Sequence, residues 1–303
     1  MRIASLLPSA TEIVYALGLE DDLVGVTFEC DYPEAARAKP VVSDTSLPAG
    51  LSPSEIDRVV NERAEAHASL YTLNEAALRS LDPELVLTQD LCAVCAIDVS
   101  EVSDALTHLG CRGDVLTLDP KRLDEVLRSI ERVGAATGTT ARAQQVVGAL
   151  GERLAAVADA VRDAPRPRTF VLDWTDPPYN AGHWIPDMVV AAGGEPVLAH
   201  PGEYSTPLTW SQVVEARPEI VVVAPCGYQL HGTTELIRGD AELRGQLARS
   251  TAAGQVWAVD ASSYFVRPGP RLVDGVEILA GILHPDAWAP PGADAATRVA
   301  VDG

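Results

Sequence analysis

The chain has 303 residues, 47% hydrophobic and 22% charged, a length that predicts about two domains with cores large enough to need neither disulfides nor a metal. Its net charge of −20, from 23 Lys and Arg against 43 Asp and Glu, excludes diffuse attraction to phosphate backbones, so no nucleic-acid partner is expected. No apolar run approaches the ~18 residues of a membrane span, which excludes membrane insertion. The first residues also lack the features of a secretory leader. A cytoplasmic location is therefore expected for the sequence as written, and an extracytoplasmic one only if a leader was removed. In a reducing compartment, the five cysteines read as metal, redox or core residues before disulfides.

In chain order, 2–7 predicts a short buried strand. Ser9-Ala10-Thr11-Glu12 then fits a capping box at a helix start, with apolar spacing from Ile13 to Leu17 and a stop at Gly18. A second strand is expected over 23–28. Ser52-Pro53-Ser54-Glu55 and Thr72-Leu73-Asn74-Glu75 each open a helix. A strand over 85–88, a helix over 104–109 and a strand over 114–118 follow. This alternation predicts an α/β fold with mainly parallel sheets flanked by helices.

The stretch 123–162 is helix-rich, and 140–162 carries Val146, Val147, Leu150, Leu154, Val157 and Val161 at helical spacing. This predicts one long, rigid helix of ~30 Å, stopped by Pro165-Arg166-Pro167. Alternation resumes over 169–173, 220–224 and 255–260, and a helix over 272–283 closes the fold. The expected organisation is an amino-terminal lobe at 1–139, a linking helix at 140–164, a carboxy-terminal lobe at 165–285 and a mobile tail at 286–303. One quasi-repeat relates the lobes: Leu81-Asp82-Pro83-Glu84-Leu85-Val86-Leu87 parallels Ala216-Arg217-Pro218-Glu219-Ile220-Val221-Val222.

Leu7-Pro8-Ser9-Ala10-Thr11-Glu12, Asp31-Tyr32-Pro33, Asp176-Pro177-Pro178-Tyr179-Asn180-Ala181-Gly182, Ala192-Gly193-Gly194 and the run from Tyr264 to Arg271 occur in an order that resembles the cobalamin-binding proteins of ABC importers. These belong to the class of binding proteins whose two α/β lobes are joined by one long helix. The resemblance implies a corrinoid or similar flat chelate held in an interlobe cleft by aromatic side chains from both lobes. By position it assigns ligand contact to Tyr179, Tyr264 and Tyr204. Where the family has a first-lobe aromatic, this chain has Glu29 and Cys30. Where the family has a tryptophan loop, it has Gln89 to Cys95, and about twenty residues are inserted around 56–71. The family docks on its permease through a glutamate on each lobe. The matching positions here are Ser211 and Ala76, beside Glu75, which speaks against an ABC permease as partner.

Ligands of open parallel sheets bind beyond the carboxyl ends of the strands. Cys30, Cys92, Cys95 and Cys226 all follow expected strand ends, and Cys92 and Cys95 form a Cys-x-x-Cys pair. Four converging thiolates would hold zinc or an iron–sulfur cluster; buried packing or a redox pair is the plainer alternative for each. Cys111 precedes a strand and reads as packing. His183 follows the Tyr179 loop and suits a ligand or acid–base role, or a plain surface histidine. Arg267 and Arg271 suit an anionic group on a ligand, or structural ion pairs with Asp274 and Glu277. The expected function is binding of a small ligand of the cobalamin or iron-chelate class. The alternative is a cytoplasmic metalloprotein or enzyme with a cysteine-held zinc or iron–sulfur centre in the same cleft.

Overall fold

Runs rich in Val, Leu and Ile form short strands, and the helices between them cover the sheets. A computed structural model describes residues 1–66, 68–89, 113–251 and 254–301. The helix expected over 104–109, together with Cys92, Cys95 and Cys111, lies outside the described residues. The chain divides into two units, Met1–Pro120 with Leu127–Val147, and Lys121–Val126 with Gly148–Gly303.

The first unit runs β1 (Ile3–Ser5), α1 (Pro8–Ala16), β2 (Leu23–Val26), a 3-10 turn (Glu34–Ala38), β3 (Ser43–Thr45), α2 (Pro53–Glu65), β4 (Tyr71–Leu73), α3 (Glu75–Leu81), β5 (Leu85–Thr88) and β6 (Asp114–Thr117). Its main sheet has the order β2-β1-β5-β6 and is parallel throughout. Ala4, Leu6, Val42, Leu78 and Val86 form a core cluster under α3. The expected start of α2 is observed: Ser52 and Glu55 satisfy each other's backbone N–H groups. The capping box expected at Ser9 and Glu12 is not formed. Pro8 takes the first helical position, the cap is Leu7, and Ser9, Thr11 and Glu12 are buried within the helix.

Two helices follow, α4 (Leu123–Ala136) and α5 (Thr140–Ala160). The second runs unbroken for 21 residues. The units divide inside these helices, at Val126/Leu127 and Val147/Gly148, and not at the expected 139 and 165.

The second unit continues through β7 (Arg168–Thr175), β8 (Pro178–Asn180), α6 (Ile185–Ala191), β9 (Glu195–Pro196), α7 (Trp210–Ala216), β10 (Ile220–Val223), α8 (Leu230–Gly239), α9 (Ala241–Ser250), β11 (Gln255–Val259), α10 (Ala261–Tyr264), α11 (Leu272–Leu283) and β12 (Ala296–Arg298). Parallel strands β7, β10 and β11 form its centre, β12 is antiparallel at one edge, and β7 pairs beyond with antiparallel β8 and with the two-residue parallel β9. Phe170, Leu172, Val221, Val223, Val256 and Ala258 build the core.

The quasi-repeat has a structural counterpart. Asp82 and Arg217 end α3 and α7 in the left-handed region, with φ of 42° and 47°. In each unit a Pro and a Glu then lead into the next strand. Glu84 Oε2 accepts from the Arg2 backbone N–H at 2.7 Å, and Glu219 Oε2 from that of Arg168 at 2.9 Å. The arginine side chains return the contact, Arg2 to the Asp82 carbonyl and Arg168 to the Ala216 carbonyl. The ladders agree as well, pairing Ile3 with Leu85 and Thr169 with Ile220.

The stretch 286–303, expected to be a mobile tail, is instead packed as far as it is described. β12 pairs with β11, Val299 N–H donates to Val256 O at 2.9 Å, and Val299 and Val301 are buried in the core. The Ala, Pro, Gly and Asp-rich stretch before them is a connection that brings a last edge strand back. Burying one valine contributes roughly 1.5–3 kcal/mol. Ending the chain after Gly292 should therefore cost ~3 kcal/mol or more and lower the melting temperature by several degrees. An unchanged thermal melt would show that these residues are not packed.

Candidate ligand-binding site

At the carboxyl edge of the second unit's sheet, backbone pairing outlasts the ladder by two bonds. Ala224 N–H reaches Leu172 O at 2.9 Å, and Cys226 N–H reaches Asp173 O at 3.2 Å. Beyond this edge stand four half-buried aromatics on successive elements: Trp174 on β7, Tyr179 on β8, Tyr228 after β10 and Tyr264 at the end of α10. Trp174 and Tyr228 meet edge to face with centroids 6.1 Å apart, and Tyr179 pairs with Trp174 across the β7–β8 hairpin. Tyr228 O accepts from Ser262 N–H at 3.0 Å, which ties the end of β10 to α10. Burial raises the Tyr228 and Tyr264 phenols above their ordinary range, so both remain neutral at physiological pH. The Arg271 guanidinium lies over the Tyr264 ring at 5.8 Å. Arg267 is half-buried in the turn between α10 and α11.

A second group surrounds His183. Its backbone takes φ of 53° and is clasped from both sides, N–H to Glu203 O at 2.6 Å and carbonyl to Gly202 N–H at 2.9 Å. Its ring sits 5.0 Å from Tyr204 and 5.6 Å from Trp184. Nε2 is buried with no hydrogen-bond partner among the described residues. Burial, then nearby Lys121, lowers its pKa, so the imidazole is neutral at pH 7. Tyr204 is 53% exposed, and Lys121 Nζ stands over its ring at 5.1 Å. Lys121 is placed by the start of α4, where Arg122 and the Leu123 N–H are both held by Asp187.

Between the two groups lies Asp173, which sequence reasoning passed over. Its Oδ2 accepts from Ser205 Oγ at 2.9 Å, and Ser205 Oγ accepts from Gly182 N–H at 3.0 Å. Burial pushes the carboxyl up to about 6, against a small opposing effect of the Ser205 hydroxyl. A Cβ on Gly182 would run into Ser205 N and Glu203 O, so the approach of these two loops requires glycine.

The first unit presents different chemistry at its strand ends. Thr27 Oγ1 accepts from Ser43 Oγ at 2.7 Å, and Cys30 Sγ lies 3.0 Å from Thr11 Oγ1 with the residue 4% exposed. Glu29 is half-buried. Its neighbours Phe28 and Tyr32 are 39% and 48% exposed, and Phe28 lies 6.0 Å from Tyr71. The inserted stretch thus delivers an aromatic, Tyr71 on β4, to the end of β2. An aromatic pair, Phe28 and Tyr71, stands beside Glu29 at the end of β2.

Of the expected site residues, the structure brings Tyr179, His183, Tyr204, Tyr264, Arg267 and Cys226 into the second unit, leaving Glu29 and Cys30 in the first. The aromatic ligand contacts assigned by resemblance therefore all come from one unit. Cys226 is an exposed thiol and Cys30 a buried one. Among the described residues no three His, Cys, Asp or Glu side chains are grouped to hold a metal ion. No described helix is long and apolar enough to cross a membrane.

Replacing Asp173 by Asn keeps an acceptor for Ser205 and removes a half-buried charge. Because the folded pKa is raised above its ordinary 3.8, ionisation destabilises the fold as pH climbs from about 4 through about 6. The full interval corresponds to ~3 kcal/mol. Asp173→Asn should therefore raise the melting temperature at pH 8, with the gain vanishing near pH 4. A pH-independent difference would contradict the raised pKa. Gly182→Ala should destabilise by ~1–3 kcal/mol through collision with the 203–205 backbone, seen as a lower denaturation midpoint with unchanged slope.

Comparison with known proteins agrees with this architecture. The sequence profile of the periplasmic binding protein family matches residues 3–259. An uncharacterised ABC transporter substrate-binding lipoprotein of Bacillus subtilis is 28% identical over 298 residues, covering 95% of this chain and 81% of that one. A cobalamin-binding protein of Halobacterium salinarum is 27% identical over 292 residues, covering 93% and 69%. Among solved structures, the periplasmic vitamin B12-binding protein of Vibrio cholerae superposes with a TM-score of 0.67 at 24% identity, covering 93% of this chain and 96% of its own. A periplasmic haem-binding protein of Pseudomonas aeruginosa gives 0.70 at 19% identity, covering 98% and 99%. With its family profile spanning most of the sequence and two parallel α/β units, this chain belongs to the periplasmic binding protein family.

Proposed function

We propose that the protein binds a flat metal chelate of the corrinoid class and hands it to an ABC permease. The observation that carries this reading is the row of half-buried aromatics, Trp174, Tyr179, Tyr228 and Tyr264, at the carboxyl edge of the second unit's sheet. Rigid rings present large apolar area at small entropic cost, which suits a wide planar ligand better than a small polar one. Relatives named for cobalamin binding support the choice of ligand. A relative named as a substrate-binding lipoprotein of an ABC transporter supports the permease as partner. The second-unit docking position remains Ser211, exposed near the start of α7, while Glu75 opens α3 on the first unit.

Calorimetric and absorbance titration with cyanocobalamin should show saturable binding at a ratio of one to one. The Tyr179→Ala/Tyr264→Ala double variant should weaken it by tenfold or more, since each ring removes a stacking surface. Absence of heat and of any spectral change at high ligand concentration would remove the proposal.

A further inference from the structure

We propose that Asp173 selects the ligand by its hydrogen-bond donors, accepting from the peripheral amide N–H groups of a corrin ring and opposing rings whose periphery carries carboxylates. The inference deepens the corrinoid reading and rests on it. Asp173 stands one residue past the last ladder pair, Leu172 with Val223, on the edge where parallel sheets receive ligands. Trp174 follows it on β7, and Cys226, which bonds to its backbone carbonyl, lies at the end of the neighbouring strand. The carboxylate is fixed through Oδ2 by Ser205, so its remaining acceptor capacity has a defined place.

A purely structural role does not need an acid here. The neighbouring loop is already anchored by an amide: Asn180 Oδ1 accepts from Thr206 N–H at 2.6 Å, and Asn180 Nδ2 donates to Leu198 O. An asparagine at 173 would serve Ser205 equally well. Instead the position carries a carboxyl group with no cationic partner among the described residues, only burial and one hydroxyl acting on it. Partial burial of such a group destabilises the fold, and groups of this kind concentrate where binding or chemistry uses them.

The chemistry of the acceptor then sets the ligand class. An ionised carboxylate accepts and cannot donate. The corrin ring of cobalamin is edged with acetamide and propionamide groups, which supply N–H donors. Haem is edged with propionates, which would face Asp173 charge to charge. The net charge of −20 acts in the same direction at longer range.

The test compares cyanocobalamin, its monocarboxylic acids (each with one peripheral amide hydrolysed) and haemin at pH 7.5. Wild-type protein should bind cyanocobalamin at least tenfold more tightly than haemin, and at least one monocarboxylic acid should bind tenfold more weakly than its parent. Asp173→Asn should lose about tenfold in cyanocobalamin affinity, as a charge-assisted bond becomes a neutral one, while haemin binding is kept or tightened. Preference of the wild type for haemin overturns the inference. So does equal binding of every monocarboxylic acid and the parent, a result that needs no variant and no assumption about its folding. If wild type and Asp173→Asn bind cyanocobalamin alike, this inference falls and the corrinoid reading stands. If the wild type binds no cyanocobalamin, both fall.

Discussion

Parallel pairing is the constraint on which the rest depends. Strands that run the same way must all end on one edge, and past the last ladder bond each chain must satisfy its own backbone groups. In the second unit the solution is local and polar: Ser205, Asn180 and the clasp around His183 tie three loops to the strand ends. Side chains that follow the strands are held in place as a consequence. Trp174 and Tyr228 owe their positions to where β7 and β10 stop pairing with each other, and Tyr264 follows the end of β11.

The two units begin their strands alike and end them differently. The Glu84 and Glu219 clasps, with a left-handed residue ahead of Pro83 and Pro218, repeat in sequence, backbone conformation and hydrogen bonding. These contacts turn a helix end into a buried strand and have no bearing on a ligand. At the carboxyl ends the correspondence stops. The first unit packs Thr11, Thr27, Ser43 and Cys30 into a buried cluster of hydroxyls and a thiol, with Phe28 and Tyr32 outside it. The second sets out aromatics around one acid. A shared scaffold with different strand ends lets one fold present different chemistry on each unit.

Periodicity made the alternation and the long helix legible, because burial of one face leaves a spacing in the sequence. Local chemistry made Ser52–Glu55 legible, since that capping box closes within four residues. The similar pattern at Ser9–Glu12 misled because tertiary packing overrides capping: Pro8 starts the helix earlier, and those side chains are buried. The last strand escaped for a different reason. Ala296–Arg298 is three residues long, too short to show a period, and its burial is decided by an edge contributed from forty residues earlier. The strand-end rule correctly put Cys30 and Cys226 past β2 and β10, yet gave no account of packing. One is enclosed against Thr11 and the other is exposed. Asp173 left no signal, since its character comes from Ser205, thirty-two residues away.

At the second unit's edge, His183 is held neutral by burial and by Lys121, so it adds no positive charge. Lys121 stands over Tyr204 and Arg271 over Tyr264, which spreads both cations onto ring faces. Burial keeps the Tyr228 and Tyr264 phenols protonated, so both can donate or accept. Asp173 adds a half-buried carboxylate held by Ser205, apart from Asp260, Asp274 and Asp294 near Tyr264. Such an edge has aromatic area for a plane and a directed acceptor for a donor. A ligand that supplied only area would leave the acid unsatisfied on losing water, and a small donor alone would leave the rings exposed. In the proposed complex, a broad ring with amides at its rim would cover the aromatics and satisfy the acid together.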